Sequence, residues 1–187
     1  MISSNDLKKG TILKLDGELY AVLWYQHHKP GKGGAIVRTK VRNILKDTVV
    51  EKTFRAGEPL EDVFVESKEM QLLYIEDNSY IFMDNENFEQ YSVPASLIGD
   101  SAKYLKNEMV CTLSIYEGEI IAVEPPMFVD LEVVETDPGL RGDTASGGSK
   151  PAKVETGAVV QVPLFVGIGE KIRIDTRDDR YIERVKS

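Results

Sequence analysis

Apolar residues in this chain almost never recur at the spacing of a helix face. Short runs rich in Val, Ile, Leu and Tyr follow one another with turn residues between them, a pattern that buries apolar surface only when the runs pair as strands. The reading is an all-β chain. Expected strands are Thr11–Leu15, Leu19–Gln26, Ala35–Asn43 and Val49–Phe54, then Glu69–Glu76, Ser79–Met83, Met109–Tyr116 and Glu119–Val123. The last third adds Phe128–Thr136, Val159–Val162, Lys171–Asp175 and Tyr181–Lys186. Asp16-Gly17, Asp77-Asn78 and Glu117-Gly118 read as hairpin turns. One helix is expected, from Pro94 to Lys106, with Leu97, Ile98, Ala102 and Leu105 on one side and Ser92 or Ser96 as its cap.

Two breaks divide the chain. Ala56-Gly57-Glu58-Pro59 precedes a change of charge near Val63, and Glu124-Pro125-Pro126 cannot continue a sheet ladder. Three small β-barrel domains follow: 1–63, 64–127 and 128–187. Units of about 60 residues bury only about 60% of their extended surface and have no room for a deep enzyme pocket.

Charge is unevenly spread. Residues 1–63 hold 11 Lys+Arg against 8 Asp+Glu, residues 64–127 hold 3 against 12, and residues 128–187 hold 9 against 11. A net −8 would argue against nucleic-acid binding, yet the 28 residues from Leu19 to Lys46 contain no acid. They contain Lys29, Lys32, Arg38, Lys40, Arg42 and Lys46, with both histidines, His27 and His28. Such a stretch is either a solvated basic face or an arm aimed at phosphates. The second reading gains from shape. In Lys29-Pro30-Gly31-Lys32-Gly33 a Pro-Gly pair specifies a tight reversal and leaves Lys32 at the tip of a hairpin, between glycines. Strands of this length carry the tip roughly 30 Å. The spacing is not that of a G-x-x-x-x-G-K-S/T phosphate loop, and no helix follows it.

A second glycine-rich stretch, Asp137–Lys153, reads as a long loop. It is either a linker or a loop whose backbone approaches a ligand while Asp143 and Thr144 offer hydrogen bonds.

Catalysis finds no foothold. His27 and His28 point to opposite faces of a strand and have no third ligand, so no metal is expected. Cys111 reads as a small buried hydrophobe without a base, and one Cys excludes an internal disulfide. Glu86/Glu89 and Asp178/Asp179 read as surface pairs, and the Tyr and Phe residues as core. No apolar run is long enough to span a membrane, and Met1–Asp6 has neither the basic start nor the apolar run of a signal peptide. The expectation is a cytosolic, cytoplasmic protein without cofactor.

Several of these motifs together resemble the bacterial elongation factor P family. Lys29-Pro30-Gly31-Lys32-Gly33, Val41-Arg42-Asn43 and Val50-Glu51-Lys52-Thr53-Phe54 resemble its first domain, and Asn87-Phe88-Glu89-Gln90 part of its second. Asp137–Thr144 and the run from Lys150-Pro151-Ala152 through Thr156-Gly157-Ala158 to Val162-Pro163-Leu164-Phe165 resemble its third. The resemblance implies an L-shaped molecule of an SH3-like (KOW-like) barrel followed by two OB-fold-like barrels. It implies a monomeric translation factor that contacts rRNA of both subunits and peptidyl-tRNA, and relieves stalling at consecutive prolines. Lys32 would then be the tip reaching the peptidyl-transferase centre and the target of a lysine-modifying enzyme. Lys29, Pro30, Gly31, Gly33, Arg38, Lys40 and Arg42 would accompany it on RNA. Gly142, Asp143 and Thr144, with Tyr181 and Arg184, would lie near the small subunit.

Two other readings stand beside this one. A general RNA-binding or RNA-chaperone module sits poorly with an acidic body and one localised basic arm. An enzyme using Lys32 as nucleophile would need a pocket around that lysine, which an exposed tip does not supply.

Overall fold

A computed structural model describes residues 1–139 and 147–186. The chain divides into two compact units, Met1–Ser67 with Ser114–Ala122, and Lys68–Leu113 with Val123–Ser187.

The first unit contains β1 (Ile2–Ser3), β2 (Ile12–Leu15), β3 (Glu18–His28), β4 (Ile36–Asn43), β5 (Val49–Arg55) and β6 (Pro59–Leu60). Strands β2 to β5 form an antiparallel sheet in chain order, and β1 pairs with β6. The two-residue turn Asp16-Gly17 joins β2 to β3, both residues at positive φ (53° and 83°), which matches the twist of a hairpin. Strand β4 alternates strictly. Val37, Thr39, Val41 and Asn43 are buried, whereas Arg38, Lys40 and Arg42 face water. Its apolar members join Leu7, Leu13, Val22, Phe54 and Leu60 in one core. The buried polar members are satisfied: Thr39 donates to the Lys52 carbonyl (2.8 Å), and Asn43 donates to Glu18 (2.8 Å) while accepting from the Leu45 and Lys46 amides.

Further along lie β7 (Glu66–Glu76), β8 (Ser79–Asp84), β9 (Gln90–Pro94), β10 (Val110–Tyr116) and β11 (Glu119–Glu124), in sheet order β11-β10-β7-β8-β9. Met70, Leu72, Phe82 and Val93 are buried. The expected helix is largely absent. One α-turn, α1 (Ala95–Ile98), gives way to a 3-10 helix over Gly99–Tyr104. Gly99 sits at φ 69°, a conformation that cannot continue an α-helix, and the apolar spacing alone concealed this. Neither Ser92 nor Ser96 caps it; Pro94 stands at the N-cap with no side-chain hydrogen bond.

After Pro125-Pro126 the chain forms a closed barrel of β12 (Phe128–Thr136), β13 (Ser149–Val154), β14 (Val159–Pro163), β15 (Lys171–Asp175) and β16 (Arg180–Arg184), in order β12-β13-β14-β16-β15. All neighbours are antiparallel except β14 and β16, which meet in parallel at Gln161 and Arg180. Valines and isoleucines from every other position fill it, joined by Tyr104 from the 3-10 helix. Strand β13 corrects the expected loop, which ran on to Lys153. Lys150, Ala152 and Val154 alternate inward, but a buried Lys next to a Pro disguised the pattern. The Lys150 ammonium is kept satisfied by donating to the Asp137 carbonyl at 2.6 Å.

Among the described residues no helix is long and apolar enough to cross a membrane, and no group of three His, Cys, Asp or Glu could hold a metal ion. Cys111 is buried, which pushes its thiol up to about 12.

Candidate nucleic-acid interface

Strands β3 and β4 make the arm. Their register runs from Tyr20 opposite Asn43 to His28 opposite Ile36, and residues 29–35 close the end. The reversal is wider than a Pro-Gly turn. Positive φ falls on Gly33 (112°), not on Gly31, and the chain bends across Gly31, Lys32 and Gly33 together. A Cβ added at Gly31 or Gly34 would meet nothing within 4 Å. Lys32, Lys29 and Pro30 therefore stand on a bare loop, with Lys32 exposed.

Arg38, Lys40 and Arg42 lie on one face of the arm, but they are not equivalent. Strand β5 sets Glu51 opposite Lys40, 3.8 Å away, and the β4–β5 turn brings Asp47 to 3.8 Å from Arg42. Lys46 is held by Glu18. The stretch is free of acids in sequence only; its neighbours neutralise the inner half. Lys29, Lys32 and Arg38 have no acidic partner among the described residues, so the unbalanced charge collects toward the tip. Arg55, opposite Ile36 at the end of β5, adds a cation to that end. Sequence reasoning passed over it, because only the strand register carries it alongside the arm.

Gly142, Asp143 and Thr144 lie outside the described residues. Of the C-terminal pair, Tyr181 packs against the barrel core and Arg184 is a surface group. Arg184 lies over the Phe165 ring, 4.7 Å from its centre, and donates to Glu170 at 2.9 Å. The Gly167 amide and Arg184 together hold the Glu170 carboxyl below the usual range. Phe165 is 62% exposed, so the default expectation of core packing for Phe fails here. Asp179 is not a plain surface acid either, since it accepts from Tyr104 and pairs with Lys103 at 3.1 Å.

These features have counterparts along the whole chain. Residues 3–60 match the elongation factor P KOW-like domain, residues 65–123 its OB domain, and residues 129–184 its C-terminal domain. An elongation factor P of Thermoanaerobacter sp. is 53% identical over 185 residues, covering 99% of this chain and all of that protein. One from Synechococcus sp. is 55% identical over 184 residues, covering 98% and 100%. Among solved structures, the translation initiation factor 5A from Methanococcus jannaschii matches with a TM-score of 0.52 at 22% identity, over 65% of this chain and 94% of that one, a likeness of fold. With all three domain types matched in order and relatives identical at half their positions over full length, the chain belongs to the elongation factor P family: it is a translation elongation factor built of KOW-like and OB β-barrels, and not an enzyme.

Proposed function

We propose that this protein binds the ribosome beside peptidyl-tRNA and promotes peptide-bond formation at consecutive prolines, with Lys32 as the working tip. The observation that supports this most directly is the concentration of unpaired cations, Lys29, Lys32 and Arg38, at the far end of an arm whose inner cations are already paired. A polyanion that enters from the tip meets the strongest field first.

The physical task suits such an arm. Proline's ring fixes φ and makes the reacting amine a constrained secondary one, so alignment limits the step. Fixing reactants in an attack geometry is worth up to about 7–11 kcal/mol in well-oriented systems, and it needs no acid, base or metal. Lys29, Pro30, Gly31, Gly33, Arg38, Lys40 and Arg42 hold the acceptor end by backbone and phosphate contacts, while Lys32 is the site a lysine-modifying enzyme extends. Gly142, Asp143 and Thr144, with Tyr181 and Arg184, face the small subunit. In this reading the protein works as a cytoplasmic monomer of three domains, 1–63, 64–127 and 128–187.

The test compares a tri-proline reporter with a proline-free one at saturating factor. The Lys32→Ala protein is expected to fold normally and to slow synthesis at the proline run alone. Normal tri-proline synthesis with that variant would remove the tip from the mechanism. Intact mass of the protein from its native host reads the modification directly.

A further inference from the structure

The outward face of the arm also carries the only tryptophan of the chain, Trp24, which is 44% exposed. Simple alternation would hide it. Val22 is buried opposite Val41, so the residue two positions on should also face the core. Between Val22 and Trp24 the ladder shifts register, and Trp24 pairs instead with Lys40. A bulge re-aims the side chains that follow it. Lys40 belongs to the solvent face of β4, and the next outward pair along the arm is Gln26 with Arg38. The fold thus turns a large aromatic ring out of the core and sets it opposite Lys40, with Arg38 at the next outward pair toward the tip. The acids on this face are Glu51, opposite Lys40, and Asp47, beside Arg42 further from the tip.

We propose that Trp24 is a stacking platform for one unpaired nucleobase of RNA, with Arg38 and Lys40 on the phosphates to either side. This rests on the ribosomal role proposed above and names how the arm grips its ligand. Paired bases in an RNA helix have their faces covered, whereas unpaired ones stack on aromatic rings regardless of sequence. The cations beside the ring favour a polyanion over a protein partner. The base can come from the single-stranded end of tRNA or from a loop of ribosomal RNA, and the experiment separates the two.

Trp24→Leu keeps apolar cover on the sheet but removes the π-face; Trp24→Phe keeps both. Affinities of wild type and the two variants are measured on ribosomes holding tRNA with an intact acceptor end, with that end trimmed, and without tRNA. Trp24→Leu is expected to bind at least about fivefold more weakly, with Trp24→Phe restoring most of the loss and the salt dependence unchanged. A loss confined to the intact acceptor end assigns the base to tRNA, and a loss that persists on vacant ribosomes assigns it to ribosomal RNA. Equal affinities for Leu and Phe variants, whether both normal or both weakened, overturn the proposal; the second outcome points to a protein contact that needs the indole shape. Wild-type protein that binds ribosomes without helping proline runs would defeat the function above and leave this inference standing. Should wild type not bind ribosomes, emission of the single tryptophan decides: quenching by a single-stranded oligoribonucleotide but not by a blunt duplex retains stacking, and its absence ends it.

Discussion

The Tyr104 hydroxyl donates to the Asp179 carboxylate, and Lys103 reaches the same carboxylate at 3.1 Å. Tyr104 leaves a 3-10 helix to join the barrel core, while Asp179 sits at φ 56° in the turn between β15 and β16. The tyrosine hydrogen bond, more than the lysine, holds the Asp179 carboxyl below its usual range. Burial, reinforced by Asp179, raises the Tyr104 phenol far above its ordinary value.

Tyr104→Phe keeps the ring and removes only the donor. A hydrogen bond to a charged group is worth about 1.5–3 kcal/mol, and Lys103 remains to compensate Asp179, so the expected loss is about 1–2 kcal/mol. The sign with pH follows from the raised phenol. Its contribution is fully present below the unfolded tyrosine value near ~10 and is lost as pH rises through the higher folded one. Urea unfolding of both proteins at neutral pH and above pH ~10 should show the gap narrowing in alkali. A constant gap would mean that the hydroxyl is not the source.

Asp175 gives the opposite dependence. Its carboxylate is 1% exposed, accepts the Arg177 amide at 3.0 Å and binds the Arg177 guanidinium at 3.0 and 2.6 Å. Arg177 therefore lowers the carboxyl to about 2. Stability from this pair is complete above the ordinary carboxylate value and disappears as pH falls through about 2. Thermal midpoints of wild type and Asp175→Asn should differ most above pH ~4 and converge in stronger acid.

Gly139 belongs to a loop whose glycines invite a ligand-binding reading, yet this one answers to packing. A Cβ there would collide with the Leu164 carbonyl oxygen and come within 3.1 Å of the Leu164 carbonyl carbon and Cβ. Gly139→Ala is expected to cost about 1–3 kcal/mol, as overpacking does. A denaturation midpoint equal to that of wild type would show that the backbone there yields freely.

On the arm, Arg38→Ala should reduce the slope of log affinity against log salt for ribosomes by about one. Lys40→Ala and Arg42→Ala should reduce it less, since Glu51 and Asp47 already stand beside them. Equal slopes for all three would show that those exposed pairs dissolve on binding, as weak surface pairs can.

The alternation Val37-Arg38-Thr39-Lys40-Val41-Arg42 is legible in sequence because strand periodicity survives any register. The Asp16-Gly17 turn is legible for the same local reason. What stayed hidden was set by pairing. The shift after Val22 that exposes Trp24, the arrival of Glu51 beside Lys40, and Tyr104 reaching Asp179 across 75 positions depend on which strands and turns meet. Strand β13 was lost because its inward Lys150 is acceptable only with the Asp137 carbonyl in place. The helix failed on Gly99, where a single backbone angle outweighs four well-spaced apolar residues.

The open loop around Lys32 bears on how this protein can change over time. Since Lys32 is exposed without a hydrogen-bond or ion-pair partner among the described residues, and a Cβ at Gly31 or Gly34 would meet nothing within 4 Å, the folded body should not register what hangs from the tip. Adducts of different length and charge on Lys32 should melt alike and refold alike. Thermal assays are blind to them, and quality control that senses unfolding is blind as well. Selection on the chemistry of the tip can therefore proceed without passing through the stability of the domain that carries it.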